Sequence, residues 1–171
     1  VDVVTGAAGG SGKAIAKRWA SEGAIVLVAD LPEEPREGGG RTVEEIRADG
    51  GRAEFIACDV SQEADIEAAV ARAVALGGRI DIMVNNAAIG TDTPLLETSV
   101  ADFDRVLAVN ARGVFLGCRA AIARMVTQDP LDPAGEVRGR VVNISSQHGM
   151  IRAPNDIAYG VGKAAVVYMT R

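Results

Sequence analysis

A tyrosine and a lysine four residues apart lie near the C-terminal end of the chain, within SSQHGMIRAPNDIAYGVGK, Ser145 to Lys163. The spacing of Tyr159 and Lys163 places both side chains on one face of a helix. A free phenol has a pKa near 10 and is a poor base at pH 7, and lowering that pKa by about 3 units requires about 4 kcal/mol. One ammonium about 4 Å away supplies about that much at an effective dielectric constant near 20. The pair therefore predicts a tyrosine that exchanges a proton with a substrate oxygen.

Ser146 stands thirteen residues before this tyrosine and follows the apolar run RVVNIS, which we predict to be a strand. The serine would then lie at the carboxyl edge of the sheet, where open α/β folds bind ligands. A hydroxyl there can hydrogen-bond the oxygen with which Tyr159 exchanges its proton, and hydride transfer at carbon requires this division of roles. Because Y-x-x-x-K alone occurs by chance in many helices, the prediction depends on the features that precede it.

Gly6, Gly10 and Gly12 follow the first apolar run directly, in VTGAAGGSGKAIAKRW. Glycines let the backbone turn sharply and approach a ligand, and the helix that follows offers unpaired N–H groups to an anion. The spacing G-x-x-x-G-x-G is not that of the common dinucleotide fingerprint, and a tight turn without a ligand is the alternative. The strand, turn and helix context favours a pyrophosphate site, with Ser11 among its residues.

Polar side chains also follow the next three apolar runs. Asp30, next to Leu31, can accept hydrogen bonds from both ribose hydroxyls and would repel a 2′-phosphate, although a solvated acid at the end of a strand is the alternative. Since neither AAGGSG nor DLPEEP contains Arg or Lys, we predict NAD rather than NADP. Asp59 and Val60 come where adenine should lie, although Asp59 could equally be a turn residue. Asn86, in NNAAIG, is a further candidate for cofactor binding.

Asn110 stands in a long predicted helix that is apolar at Val106, Leu107, Val109 and Val114. A buried asparagine there needs hydrogen-bond partners. A kink in the helix, a bound water and a catalytic role all remain open interpretations.

Short apolar runs alternate with amphipathic stretches along the chain. The predicted strands are residues 1–4, 24–29, 53–58, 80–84 and 140–145, and the predicted helices are residues 12–21, 42–49, 61–75, 101–126 and 158–171. Continuous apolar runs are typical of strands covered on both faces, and alternation with helices predicts βαβ units. We therefore predict an α/β fold with a doubly wound parallel sheet of the Rossmann type.

The composition narrows the class of protein. With 171 residues, 48% of them hydrophobic and 24% charged, the chain is expected to form one globular domain. A net charge of -5 without a basic run argues against nucleic acid or anionic lipid as a partner. No apolar run approaches the length of a membrane span. Cys58 and Cys118 lack metal-like spacing and are predicted to be core side chains, so we expect a cytoplasmic protein without a metal.

Together these motifs resemble the short-chain dehydrogenase/reductase family. TGAAGGSG is similar to the family's T-G-x-x-x-G-x-G turn, NNAA is similar to its N-N-A-G, and its catalytic set is matched by Asn110, Ser146, Tyr159 and Lys163. The resemblance implies hydride transfer between NAD(H) and a secondary alcohol or ketone, with Tyr159 as general acid/base. It also implies that Lys163 binds the nicotinamide ribose and lowers the tyrosine pKa, that Ser146 orients the substrate and that Asn110 anchors a water in a proton relay. The alternatives are an NADPH-dependent reductase of 3-oxoacyl thioesters and a dinucleotide sensor without turnover.

The chain departs from the family pattern at Ser11, Ala88 and Gly162, which puts cofactor affinity in doubt more than chemistry. Members of the family usually have about 250 residues, in keeping with single α/β domains. We therefore expect residues 1–171 to be a single dinucleotide-binding and catalytic domain, C-terminally incomplete, that lacks the last strands and the substrate-covering segment. On this basis the 171 residues alone should be poorly soluble or self-associated and inactive, whereas the full-length protein should be a homodimer or homotetramer.

His148, the only histidine, lies two residues after Ser146. It could hydrogen-bond a polar substrate, but a solvent-facing loop histidine is the favoured interpretation.

Overall fold

The computed structural model describes all 171 residues. Five strands form one sheet: β1 Asp2–Thr5, β2 Ile25–Asp30, β3 Arg52–Ala57, β4 Ile82–Asn85 and β5 Arg140–Asn143. The helices are α1 Gly10–Ser21, α2 Thr42–Ala48, α3 Glu63–Gly77, α4 Val100–Leu107, α5 Val114–Met125 and α6 Ile157–Met169, with a π-helical turn at Ala108–Gly113 and a 3₁₀ turn at Gln147–Gly149. The predicted alternation of strands and helices is confirmed.

The sheet is parallel throughout, with the strand order β3-β2-β1-β4-β5. The chain moves outward from β1 to β3 on one side and then returns to place β4 and β5 on the other. Open α/β sheets bind ligands beyond the carboxyl ends of the strands at such a reversal. The topology therefore places a binding crevice between β1 and β4, as the predicted Rossmann-type fold requires.

Successive strand residues point into two separate cores. Val3, Leu27 and Met83 belong to a cluster of 15 buried residues that also includes side chains of α3 and α5. Val4 and Val84 belong to a cluster of 10 buried residues on the other face, against α1 and α2. Burying one such side chain contributes about 1.5–3 kcal/mol. Because both faces are covered, the strands read as continuous apolar runs.

The helix predicted over residues 101–126 is present over Val100–Met125, but it is not α-helical throughout, because the π-helical turn interrupts it. By length and composition this combined helix would be able to cross a membrane. Its residues Leu116, Ala121 and Met125 pack in the larger core cluster. Part of its apolar surface is thus buried in the core, while Phe115 and Ile122 are exposed.

Most predicted ends of strands and helices differ from the observed ends by one or two residues. The fifth strand, predicted over residues 140–145, ends at Asn143, and beyond it the Ser145 hydroxyl donates to the Lys163 carbonyl at 2.9 Å. Helix α3, predicted from residue 61, begins at Glu63 with Gln62 at its N-cap. Ser61 lies in the preceding turn, where its N–H donates to Asp59 Oδ1 at 2.9 Å.

Candidate active site

A cavity of about 300 Å³ lies at the carboxyl ends of β1 to β4. The predicted cofactor residues that line it are Gly6, Gly10, Ser11, Asp30, Leu31, Asp59, Val60 and Asn86. Gly12 is not part of the lining. It is buried beneath the turn, where an added Cβ would overlap the Gly6 carbonyl oxygen. Four strand ends therefore contribute to one crevice at the reversal of the sheet, as expected for a nucleotide site.

The first turn is held by the segment after β4. Gly6 has a φ of +63°, and a Cβ there would lie 2.7 Å from Ala87 Cα, so only glycine fits. The Asn86 side-chain amide donates to the Thr5 carbonyl at 2.9 Å and to the Gly6 carbonyl at 3.0 Å. Asn86 thus lines the cavity, but its amide N–H groups support the glycine turn.

Asp30 ends β2 with both carboxylate oxygens engaged by the backbone. Its Oδ2 accepts from the Ala8 N–H at 3.0 Å and its Oδ1 from the Leu31 N–H at 2.8 Å. Each oxygen keeps a further lone pair. These bonds orient the carboxylate at the cavity without exhausting it as an acceptor of hydroxyl donors.

Two more residues of the cavity come from the turn regions after β3. Asp59 Oδ1 caps the turn before α3, so the interpretation as a turn residue holds alongside its place in the lining. Burial, followed by the nearby carboxylates Asp65, Asp59 and Asp30, raises the pKa of the Cys58 thiol to about 12. The thiol therefore stays protonated and unreactive at neutral pH.

The loop between β2 and α2 brings two charges to the cavity that sequence reasoning missed. Arg36 and Glu37 both line it, and the Glu37 carboxylate accepts the N–H of Gly10 in the first turn of α1. Hydrogen bonds from its own backbone N–H and from that of Gly10 lower the pKa of Glu37. Arg36 follows DLPEEP directly, so the lining contains a cation although neither AAGGSG nor DLPEEP does, and the preference for NAD over NADP then depends on Asp30 alone.

Tyr159 and Lys163 share one face of α6, with Lys163 Nζ 5.5 Å from the centroid of the Tyr159 ring. Lys163 is 2% exposed and donates to the Ile144 carbonyl at 2.6 Å, just beyond β5. It forms no ion pair, and burial lowers its pKa. A buried ammonium with a single carbonyl partner strongly favours a negative charge beside it.

Ser146 follows the end of β5 and caps the 3₁₀ turn, since its Oγ accepts the His148 N–H at 3.2 Å. The Oγ proton remains available to a second partner. Ser146 therefore lies at the carboxyl edge of the sheet, where the strand prediction placed it.

Asn110 is fully buried in the π-helical turn. Its Oδ1 accepts the Ile89 N–H at 2.9 Å and its Nδ2 donates to the Ile89 carbonyl at 2.8 Å. Helix α6 approaches closely here, because a Cβ on Gly162 would lie 2.8 Å from Asn110 Cβ. Of the open interpretations, the irregular helix is observed, and the close contact explains why glycine precedes Lys163.

His148 is partly exposed to solvent in the 3₁₀ turn, but its ring is held by a neighbouring carboxylate. Its Nδ1 lies 2.6 Å from Asp156 Oδ2 and its side chain is only 31% exposed.

Comparison with known proteins places this geometry in context. A family model described as short chain dehydrogenase matches residues 1–171. An uncharacterized oxidoreductase of Thermotoga maritima is 41% identical over all of this chain and 63% of its own length. A cyclopentanol dehydrogenase of a Comamonas species is 40% identical over all of this chain and 64% of its own length. The chain thus spans somewhat less than two thirds of these relatives.

Solved structures show the same fold. A metagenomic short-chain oxidoreductase in complex with NADP has a TM-score of 0.84 and 34% identity, over 99% of this chain and 71% of its own. A short chain dehydrogenase/reductase of Burkholderia phymatum in complex with NAD has a TM-score of 0.87 and 31% identity, over 99% of this chain and 57% of its own.

Proposed function

Because this chain belongs to the short-chain dehydrogenase/reductase family, we propose that the protein is an oxidoreductase that transfers a hydride between NAD(H) and a secondary alcohol or ketone. The observation that carries the proposal is the buried Lys163 beside Tyr159 on one face of α6, at the sheet edge that also holds Ser146 and the cavity. Cyclopentanol, the alcohol in the name of one relative, is itself a secondary alcohol.

The proposed chemistry divides the reaction between three side chains. In the oxidising direction Tyr159, as phenolate, accepts the proton of the substrate hydroxyl, while Ser146 donates a hydrogen bond to the same oxygen. Lys163 stabilises the phenolate, because it is the only ammonium against that ring and has no carboxylate of its own. A bound nicotinamide would supply the acceptor for the hydride that leaves the substrate carbon. In the reducing direction Tyr159 returns the proton to the carbonyl oxygen.

Asn110 has a proposed role in the path of that proton. The resemblance to the family assigns it a water in a relay, and its side chain keeps one N–H and one oxygen lone pair beyond the two bonds to Ile89. Asn110→Asp would keep the shape of the side chain and remove its N–H donor, so kcat should fall, which steady-state kinetics would measure.

The residues of the cavity fit a dinucleotide. The glycine turn already binds a carboxylate, that of Glu37, at the Gly10 N–H, which is the behaviour expected of a pyrophosphate site at a helix N-terminus. Asp30, at the end of β2, would accept hydrogen bonds from the adenosine ribose hydroxyls. This carboxylate favours NAD. Arg36 in the same lining is the specific observation in favour of NADP as second candidate.

A substrate panel tests the proposal. Turnover is followed at about 340 nm, where the reduced nicotinamide absorbs. The substrates are polyols, sugars, steroids and acyl ketones, each with NAD(H) and NADP(H). We expect turnover with a secondary alcohol, and Tyr159→Phe should lower kcat by about 100-fold or more while leaving NADH binding within a few-fold. Activity restricted to 3-oxoacyl thioesters with NADPH would replace this function by that of a thioester reductase, and dinucleotide binding without any turnover would replace it by that of a sensor.

The proposal extends to the setting of the protein. We propose one domain for residues 1–171, a homodimer or homotetramer for the whole protein, a cytoplasmic location, and neither nucleic acid nor membrane as partner. Sedimentation and cell fractionation test these points.

A further inference from the structure

A histidine outside the expected catalytic set lies against Tyr159 and is itself bonded to an aspartate. His148, in the 3₁₀ turn after β5, and Asp156, directly before α6, are joined through Nδ1 and Oδ2 at 2.6 Å. The His148 ring meets the Tyr159 ring edge to face, with centroids 6.1 Å apart and an angle of 82° between the planes. We propose that His148 and Asp156 form a positioning pair that fixes the Tyr159 ring relative to Ser146, a role that rests on the proposed function of Tyr159.

His148 contacts two side chains of the proposed site. Its main-chain N–H donates to Ser146 Oγ at 3.2 Å, while its ring packs on Tyr159. The turn that carries it lies directly on α6, since a Cβ on Gly149 would be 2.7 Å from the main-chain carbonyl of Lys163. The position of His148 therefore determines how the serine and the tyrosine stand relative to each other.

Asp156 forgoes a local hydrogen bond to hold this histidine. It occupies the N-cap position of α6, and an aspartate there typically stabilises a helix by about 1 kcal/mol through bonds to the first N–H groups. Its side chain makes no such bond, although its carbonyl accepts the Gly160 N–H at 2.8 Å. The carboxylate instead accepts from His148, which places the ring proton on Nδ1 and fixes the ring plane.

The fixed imidazole matters because a tyrosine ring is weakly oriented by its own torsion. Rotation about χ2 is broad and roughly two-fold, and Tyr159 is only partly buried. The segment between the pair does not supply the restraint, since Met150 and Ile151 are 74% and 59% exposed. A misplacement of about 1 Å between reacting groups can lower a rate about 100-fold. The hydrogen bond between His148 and Asp156 therefore affects the rate of the reaction, through the position of the Tyr159 ring.

Three single variants, one double variant and one control separate the contributions. His148→Phe keeps a ring against Tyr159 without the bond to Asp156, whereas His148→Ala removes both, and Asp156→Ala removes the anchor alone. Gln147→Ala is the matched control, because its exposed side chain makes no hydrogen bond. We expect kcat to fall about 10- to 100-fold in His148→Ala and less in His148→Phe, with the KM for dinucleotide within twofold of the parent. The double variant His148→Ala/Asp156→Ala should be no worse than His148→Ala, since the two residues act as one unit.

Fluorine NMR gives a readout that needs no turnover. After incorporation of 3-fluorotyrosine, the Tyr159 resonances are those that Tyr159→Phe removes, and the 80% exposed Tyr168 serves as internal reference. A fixed Tyr159 ring gives two fluorine resonances, one for each ring position, and these should merge into one in His148→Ala, with the Tyr168 signal unchanged. Tyr159 resonances unaffected by His148→Ala, or a kcat within threefold of the parent, would overturn the positioning role. A parent protein inactive on every alcohol would overturn the proposed function, while the spectrum would still decide whether the pair holds the ring.

Discussion

Replacing Lys163 by Met removes one buried charge while nearly keeping the side-chain volume. The ammonium lies 5.5 Å from the centroid of the Tyr159 ring, and at an effective dielectric constant of about 20 such a charge stabilises a phenolate by about 3 kcal/mol. Since about 1.4 kcal/mol corresponds to a tenfold change in rate, kcat should fall about 100-fold at saturating dinucleotide. The KM for dinucleotide should rise as well, because the resemblance to the family assigns Lys163 a contact with the nicotinamide ribose.

The same substitution should stabilise the fold. An ion removed from water carries a penalty of several kcal/mol, and Lys163 recovers part of it through one bond to the Ile144 carbonyl. Leaving that carbonyl without a partner costs about 1–3 kcal/mol. The balance favours the apolar side chain by about 1 kcal/mol or more, which corresponds to a rise in Tm of about 2–4 °C or more for a chain of this size.

The pH dependence has a defined sign. Burial lowers the pKa of Lys163 below its ordinary value of 10.5, so between the two values the unfolded state holds a proton that the folded state has released. Stability contributed at this site therefore rises with pH across that window. The rise should be absent in Lys163→Met.

Steady-state kinetics and thermal unfolding of Lys163→Met test these expectations together. Lys17→Met is the control, because Lys17 is a partly exposed lysine paired with Glu45, and it should leave kcat unchanged. A Lys163→Met protein that keeps more than about a tenth of kcat would refute the electrostatic role, since general acid–base groups contribute about 100-fold or more. A Tm below that of the parent would show that Lys163 supports the fold.

Three further perturbations test other parts of the site. Asp30→Ser should narrow the ratio of kcat/KM for NAD to that for NADP, and a parent that already prefers NADP would contradict the assigned role. Glu37→Ala should lower the Kd of NADH severalfold in a fluorescence titration, because no carboxylate then competes for the glycine turn, whereas Glu33→Ala in the same loop should not. Gly162→Ala should lower the free energy of unfolding in denaturant by about 1–3 kcal/mol, because its Cβ would lie 2.8 Å from a neighbouring Cβ; Gly90→Ala, with its nearest contact at 4.0 Å, should change it little, and equal losses would contradict the packing argument.

The sheet was predictable because β1, β2 and β4 have cores on both faces. Val3 and Val4 point to opposite clusters, as do Met83 and Val84. These strands are therefore uninterrupted apolar runs, without the alternation of apolar and polar residues that a half-exposed strand shows. The helices keep their amphipathic spacing, and their order follows from the alternation. The face shared by Tyr159 and Lys163 was predictable for the same local reason.

The charges that reach the cavity from the β2–α2 loop were not predictable. The sequence LPEEPREGGG has no periodicity, and Gly38 and Gly39 both take positive φ angles, so nothing local specifies which acid turns toward the glycine turn. The contact of His148 with Asp156 is hidden in a similar way, because it spans an irregular segment. Such contacts depend on the tertiary path of a loop and leave no pattern in the chain.

The π-helical turn Ala108–Gly113 absorbs one extra residue in its helix. A π turn holds one residue more than the α-helical turn that would replace it. Deleting one residue of this turn would therefore let the helix close as a regular α-helix with α4 and α5 in nearly their present rotation, but Asn110 would lose the position from which it bonds Ile89. Deleting one residue within α5 instead would rotate the rest of that helix by about 100° and turn residues such as Ala121 away from the core cluster. We therefore expect a one-residue deletion in α5 to be tolerated far less than one in the π turn, or one in the loop of residues 31–41, where a change in chain length costs only about 0.6 kcal/mol per doubling.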